Sequence, residues 1–169
     1  MTDTTRMTAR LAALALLGAV AAGHAHAATT VVKASAKVAK PVTLSVKQSL
    51  DFGTIMLSGA PGNHTVSIGM AGALSCPGGL TCSGTPRPAI FNTSGSQGQV
   101  VRIFALQSDL TNASDGSKLR FTPVAPASVT LTNSGFPGKD FNVGGSITIP
   151  STATDGLYSG TIEITVDYQ

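Results

Sequence analysis

Cys76 and Cys82 are the two residues of this sequence whose type and spacing most directly suggest chemistry. Only the segment PGGLT separates them, so a disulfide between them would close a very short loop. As metal ligands they are too few, because two thiolates cannot complete the tetrahedral shell of a zinc ion and no histidine lies near them in the sequence. The pair therefore predicts a disulfide, with two free thiols as the alternative.

The other reactive residue types are scattered along the chain. His64 lies in the turn-like segment PGNHT, where we expect a solvated side chain rather than a metal ligand or a base. The acidic residues beyond residue 27 show no pair at a spacing typical of acid–base catalysis: Asp51, Asp109, Asp115, Asp140, Asp155, Glu163 and Asp167. The glycine-rich segments precede no helix, so phosphate binding by helix N-terminal amides is not expected. We expect no enzyme activity, no metal and no cofactor.

The first 27 residues have the features of a secretory signal peptide. Arg6 and Arg10 precede the apolar run LAALALLGAVAA, and the small-residue sequence AHA ends at Ala27. Such a segment is cleaved on export, here after Ala27. The run is shorter than the ~20 apolar residues that span a bilayer. We therefore expect an exported protein that keeps no transmembrane anchor after cleavage.

Charge and length limit the remaining possibilities. The 169 residues contain 11 Lys and Arg against 8 Asp and Glu, and removal of two arginines and one aspartate with the signal peptide leaves a balance of 9 − 7 = +2. This weak, dispersed charge is not the basic surface typical of a nucleic-acid-binding protein. The remaining length suits one domain with an ordinary core.

Apolar residues beyond residue 40 alternate with a period of two, which predicts an all-β protein of many short strands. We expect turns at SDG (114–116), NSGFPGKD (133–140), VGG (143–145) and TDG (154–156). The segment QVVRIFAL is apolar on both faces and is therefore expected in the middle of a sheet. Short strands at these intervals are typical of an antiparallel β-sandwich, which we assign to residues 41–169.

Both ends of the mature chain alternate in the same way. Between residues 28 and 40, an apolar face of small residues precedes Pro41: Val32, Ala34, Ala36 and Val38. We treat residues 28–40 as an N-terminal extension and predict a strand at 31–39. The C-terminal segment 161–168 predicts a strand whose edge stays available for pairing if no later strand covers it.

The C-terminal pattern resembles that of the chaperone–usher pilins. Gly156 is fourteenth from the end, Tyr168 is penultimate, and alternating apolar residues lie between them. The resemblance implies an immunoglobulin-like antiparallel β-sandwich that lacks one strand, which the extension of a neighbouring subunit supplies. It assigns the donor strand to Val32, Ala34, Ala36 and Val38. The strand beside the acceptor groove would carry Gly156, Ile162, Ile164, Val166 and Tyr168.

A second resemblance covers nearly the whole mature chain. The elements LDFG (50–53), VGG and YSGTIEITVDY are similar to those of exported pilin-like domains of Gram-negative bacteria, related to spore-coat-U-type secreted subunits. The cysteine pair closes a local loop, whereas well-studied pilins join two early strands by a long-range disulfide. The resemblance therefore favours an archaic or spore-coat-U-like branch.

Two functions remain open from the sequence. The first is a structural subunit of a bacterial surface fimbria or coat, assembled by donor-strand complementation as a homopolymer or heteropolymer of pilin-like subunits. The resemblance implies a periplasmic chaperone and an outer-membrane usher as partners, with passage through the periplasm to the cell surface or beyond. The alternative is a self-complete secreted β-sandwich that acts as an adhesin or a glycan- or protein-binding module.

Overall fold

A computed structural model describes residues 28–169, and in this part of the chain all regular secondary structure is β. The predicted signal peptide lies outside the described residues. Thirteen strands follow in chain order: β1 (Thr43–Gln48), β2 (Thr54–Leu57), β3 (Asn63–Ile68), β4 (Leu74–Ser75), β5 (Leu80–Ser83), β6 (Ala89–Ser94), β7 (Val100–Ala105), β8 (Ser108–Asn112), β9 (Lys118–Val124), β10 (Ser128–Thr130), β11 (Lys139–Pro150), β12 (Tyr158–Ser159) and β13 (Ile164–Tyr168).

The strands form an antiparallel β-sandwich, as the sequence predicts. The larger sheet has the order β1-β6-β11-β9-β8-β12, with β3 paired to β11 and β4 paired to β3. The smaller sheet has the order β10-β7-β13, and β2 pairs separately with β5. The compact β-domain comprises residues 37–169, while residues 28–36 belong to a separate unit and have no secondary structure.

β11 is the longest strand and organises the larger sheet. Its first half pairs with β6, and its second half pairs with β3 and β9. The turn predicted at VGG is wrong, because Gly144 and Gly145 lie in the middle of this strand. A Cβ on Gly145 would lie 2.5 Å from the ring of Phe121 on the neighbouring strand β9, so these glycines permit close packing within the sheet and do not reverse the chain.

Two apolar clusters fill the sandwich. The first contains Phe52, Phe121 and Ile147 with neighbouring residues of β3, β5 and β9. The second joins the two sheets, because Phe91 and Phe141 of the larger sheet pack with Ile103 of β7. The two clusters occupy successive parts of the sandwich, and Leu50 packs against both.

One strand prediction is wrong and another is confirmed. No strand forms at 31–39, since residues 28–42 have no regular secondary structure. The alternation in this segment defines which side chains could share a face, but a strand forms only where a neighbour accepts and donates its hydrogen bonds. QVVRIFAL supplies the central strand of the smaller sheet, as expected, but its outer face is open: Phe104 and Leu106 are about half exposed.

Candidate functional site

The outer edge of β13 has no strand partner within residues 28–169. Its inner edge pairs with β7, and the hydrogen bonds from Leu106 N to Glu163 O (3.2 Å) and from Gln169 N to Val100 O (3.0 Å) mark the positions directed at β7. In an antiparallel ladder, backbone groups alternate between the two edges. The N–H and C=O groups of Ile164 and Val166 therefore point away from β7, and we call this side the C-terminal edge.

The inward side chains of β13 are less completely buried than those of the larger sheet. Ile164 and Val166 pack against the second core cluster, yet both remain half-buried. Inward residues of the larger sheet, such as Phe141 and Val143, are 5% and 0% exposed. The inward side chains of the larger sheet are thus fully buried, whereas those of β13 keep some exposed apolar surface.

An apolar groove of about 710 Å³ continues from the C-terminal edge. Residues 50–57 form one wall and residues 153–162 form the other. Its floor consists of side chains from the first core cluster and β8: Leu110, Leu119, Phe121, Ile147 and Ile149. The groove therefore exposes part of the hydrophobic core between two stretches of extended chain.

The second wall is fixed by a buried asparagine. Asn112 is 1% exposed; its Nδ2 donates to Asp155 O (3.1 Å), and its Oδ1 accepts from Ser114 N (2.9 Å). Gly156 follows with a φ of +144°, and a Cβ there would lie 2.6 Å from the Asn112 side chain. Glycine at 156 is therefore required by both the backbone conformation and the contact with Asn112.

Tyr158 ties the same wall to the β8–β9 turn. Its hydroxyl donates to Thr154 O (2.7 Å) and lies 2.9 Å from Ser117 Oγ. Asp115 completes the turn, and hydrogen bonds from the backbone and side chain of Ser117, with one from Thr154, hold the pKa of that carboxyl below its usual value. These contacts keep the wall extended without a strand partner on its groove side.

The first wall is supported by β5 and by the predicted disulfide, which is present between Cys76 and Cys82. β2 pairs with β5 along its whole length, and Cys82 packs against the first core cluster. Phe52 anchors the start of the wall by an edge-to-face contact with Phe121, with ring centroids 6.2 Å apart. The short stapled loop therefore braces one side of the groove.

Tyr168 is the last residue of β13 and fixes this end of the strand to the start of the β-domain. Its hydroxyl donates to Lys40 O (2.6 Å) and accepts from Ser96 N (2.9 Å), while Lys40 N donates to Ser96 Oγ (2.6 Å). The chain thus enters the β-domain beside the end of β13. We call this the Lys40 end of the sandwich, and we call the opposite end, where Leu57 and Leu157 line the groove, the Leu57 end.

The two walls run in opposite directions. From the Lys40 end the chain passes through β1, on the second core cluster, to β2, on the first. The C-terminal segment returns from Leu157 at the Leu57 end to Tyr168 at the Lys40 end. A strand placed between them would run along the C-terminal edge and the groove together.

The described residues offer little else as a site. His64 lies half-buried in β3 and not in a solvated turn, with its Nε2 3.2 Å from Ala60 O. Across residues 28–169, no cluster of three or more His, Cys, Asp or Glu side chains is placed to hold a metal ion. The same part of the chain contains no helix of a length and hydropathy that would cross a membrane.

The family model described as a domain of unknown function, DUF4402, matches residues 42–168. The chain belongs to the DUF4402 family. The matched region contains all thirteen strands of the DUF4402 domain, including both groove walls and the C-terminal edge. No curated protein and no solved structure matches the chain.

The residues assigned to the acceptor groove from the sequence fall into three places in this DUF4402 domain. Gly156 and Ile162 line the groove, Ile164 and Val166 lie along the C-terminal edge, and Tyr168 holds the Lys40 end through its hydroxyl. The local sequence pattern does not identify the opposite wall at 50–57 or the groove floor. LDFG, at the start of this wall, is recognisable only as a shared motif, because local alternation does not indicate which distant segment lies across a gap.

Proposed function

We propose that this protein is a structural subunit of an exported fimbria or coat, assembled by insertion of one copy's N-terminal extension beside β13 of another. The observation that carries the proposal is the C-terminal edge, which continues into an apolar groove between residues 50–57 and 153–162. An extended peptide that adds to a sheet edge gains main-chain hydrogen bonds, and its alternate side chains fill the pockets beneath.

The strand order supports an immunoglobulin-like plan with one strand missing. That plan has strands A, B, E and D in one sheet and C, F and G in the other. Here β1, β6, β11 and β9 lie side by side in one sheet, and β7 pairs with β13 in the other. The position of strand G in this plan is the outer edge of β13.

The extension has a composition suited to this position. Val32, Ala34, Ala36 and Val38 would face the core, and the intervening Lys33, Ser35 and Lys37 would face solvent. Val38 is 93% exposed in the single chain, so it has apolar surface to bury on assembly. Burial of the four apolar side chains contributes about 4 kcal/mol, and each new ladder hydrogen bond adds about 0.5–1.5 kcal/mol.

The direction of insertion follows from the connection of the extension to its own domain. The donor's β-domain begins where its extension ends, so it must lie beyond the end of the acceptor at which the inserted strand leaves. An antiparallel strand would run from the Lys40 end to the Leu57 end of the acceptor, and the donating domain would follow beyond the Leu57 end. The opposite direction would bring that domain to the surface where the acceptor's own residues 37–40 lie. Antiparallel insertion therefore lets copies follow one another in a line.

We expect other proteins to accompany a subunit of this kind on its way out of the cell. An unpaired edge beside exposed core is prone to non-specific association. We propose that a periplasmic chaperone covers the groove before assembly, that an outer-membrane usher orders the subunits, and that the assembled protein resides at the cell surface. A self-complete secreted adhesin remains the competing function, and it needs no donor.

A charge on the donor face tests the proposal. We would compare the mature chain, residues 28–169, with the variant Ala34→Asp/Ala36→Asp and with the control variant Ser35→Asp. A buried unpaired carboxylate is strongly unfavourable, whereas Ser35 lies on the opposite face of the segment. Sedimentation and size-exclusion chromatography should show assembly of the mature chain and of Ser35→Asp, and a monomer for the double variant.

A peptide of residues 28–40 provides the complementary measurement. Added to the double variant, it should bind in a 1:1 ratio and raise the melting temperature, while the same peptide with both aspartates should do neither. A mature chain that remains monomeric and ignores the peptide would contradict strand donation and favour the self-complete adhesin.

A further inference from the structure

Phe136 is the most exposed large apolar side chain of the β-domain, at 95%. It lies in the segment between β10 and β11, and this segment is held by hydrogen bonds on both sides of the phenylalanine. Gly135 N donates to Gly95 O (3.0 Å), and Asn92 Nδ2 donates to Pro137 O (3.0 Å). The ring is therefore presented to solvent from an anchored loop.

This loop lies at the Lys40 end of the sandwich. Gly135 is bonded to Gly95, and the adjacent Ser96 holds both Lys40 and the hydroxyl of Tyr168. The exposed phenylalanine thus stands on the same surface through which the N-terminal extension joins the domain.

A second group of exposed apolar side chains lies at the Leu57 end. Leu157 is 73% exposed, Met56 51% and Leu57 39%, and all three border the apolar groove. Asp155, close to Leu157 in sequence, also lines the groove. One end of the molecule therefore carries an exposed aromatic ring with Lys37 and Lys40, and the other carries exposed aliphatic side chains with the carboxylate of Asp155.

We propose that Phe136 of the donating copy packs on Leu157, Met56 and Leu57 of the accepting copy, forming a second contact beside the donated strand. This inference rests on the proposed function and deepens it. Antiparallel insertion brings the donor's Lys40 end against the acceptor's Leu57 end, with Lys37 and Lys40 facing the side that bears Asp155. Because the two surfaces are different patches of the same chain, the contact repeats from head to tail and is not consumed in a closed dimer.

Site-specific cross-linking tests the contact. A photoreactive phenylalanine analogue would replace Phe136 in the mature chain, and in a matched control it would replace Phe104, which is half exposed on the outer face of β7. After assembly and irradiation, mass spectrometry should find cross-links from position 136 to residues 50–57 or 153–160 of a second copy. Position 104 should give no cross-links to these segments.

Substitution tests whether the contact contributes to assembly. Phe136→Ser changes an exposed side chain and should leave the melting temperature of the unassembled domain unchanged, while association between copies should weaken roughly tenfold, as for a buried aromatic contact at an interface. Phe104→Ser should leave association unchanged.

The outcomes separate the two proposals. If the chain assembles through its extension but position 136 cross-links elsewhere, or Phe136→Ser associates normally, the Phe136 contact is wrong and strand donation stands. If the chain does not assemble and the peptide of residues 28–40 does not bind, both are wrong.

Discussion

β11 and β13 have similar alternating sequences but differ in their strand partners and in the burial of their inward side chains. β11 has partners on both edges, and its inward side chains Val143 and Ile147 are 0% and 4% exposed. β13 has one partner, β7, and its inward side chains Ile164 and Val166 are half-buried. The difference lies in what stands beside each strand and not in the apolar character of its residues.

The comparison indicates which apolar surface of the fold remains available to a partner. A residue on β11 contributes nearly all of its burial energy within one chain, whereas a residue on β13 keeps part of its apolar surface for a partner. Truncations on β11 should therefore affect folding of the single chain, and truncations on β13 should affect assembly more than folding.

The largest expected effect tests this contrast with one chemical change at two positions. Ile147→Ala should destabilise the unassembled domain by about 2–5 kcal/mol, because it empties a fully packed site. Ile164→Ala should cost only about 1 kcal/mol there. Chemical denaturation of both variants in the non-assembling Ala34→Asp/Ala36→Asp background measures the two values. Equal losses would contradict the contrast, and added peptide of residues 28–40 should increase the loss at 164 more than the loss at 147.

Gly156→Ala should destabilise the domain by about 2 kcal/mol, because alanine is strained at this φ and its Cβ would contact Asn112 in the groove wall. Gly59→Ala is the matched control, since its φ of +78° is also unfavourable for alanine but no atom lies within 4 Å of the added Cβ. Thermal unfolding compares the two. Only Gly156→Ala should also weaken peptide binding, and equal peptide binding by both variants would show that Asn112 does not set the wall.

Tyr168→Phe removes the hydroxyl that joins Lys40 O and Ser96 N at the end of β13. We expect a loss of about 1 kcal/mol, typical of a hydrogen-bonded hydroxyl. Because Tyr168 does not line the groove, Tyr168→Phe should reduce affinity for the peptide less than Ile164→Ala does. Calorimetry on both variants checks this order, and a larger loss of affinity in Tyr168→Phe would place the hydroxyl in the binding surface itself.

We expect the smallest effect at Asp140, an exposed residue near the start of β11 that does not line the groove. Hydrogen bonds from Lys47 and Asn92 hold the pKa of this carboxyl below its usual value. Its folded pKa lies below its unfolded pKa, so its contribution is complete above the usual aspartate pKa and disappears as pH falls through the folded value. Asp140→Asn should therefore be slightly less stable at neutral pH and equal to the parent in strong acid. A gap that widens toward acid pH would contradict this sign.

Much of the architecture could be predicted from local pattern. Alternation around Phe91, Phe121 and Ile147 indicated an antiparallel sandwich, and two cysteines separated by PGGLT indicated the disulfide that is present. Local pattern failed where contacts decide the outcome. The VGG segment has turn composition, but close packing against Phe121 places it inside β11.

The site was predictable only in part for the same reason. The spacing of Gly156, Ile164 and Tyr168 from the C terminus indicates one side of the groove. The wall at 50–57 lies about a hundred residues away in sequence from the wall at 153–162, and pairing across such a distance is set by the whole topology. Phe136 carries no sequence signal either, since its exposure depends on the anchored loop that presents it.

Residue-resolved amide hydrogen exchange tests the central claim most directly. In the Ala34→Asp/Ala36→Asp chain, the amides of Ile164 and Val166 should exchange rapidly, because they face the unpaired C-terminal edge, while those of Thr165 and Asp167 should be protected by β7. Addition of the peptide of residues 28–40 should protect Ile164 and Val166. Protection of these two amides before any peptide is added, or no change after saturating peptide, would contradict the account.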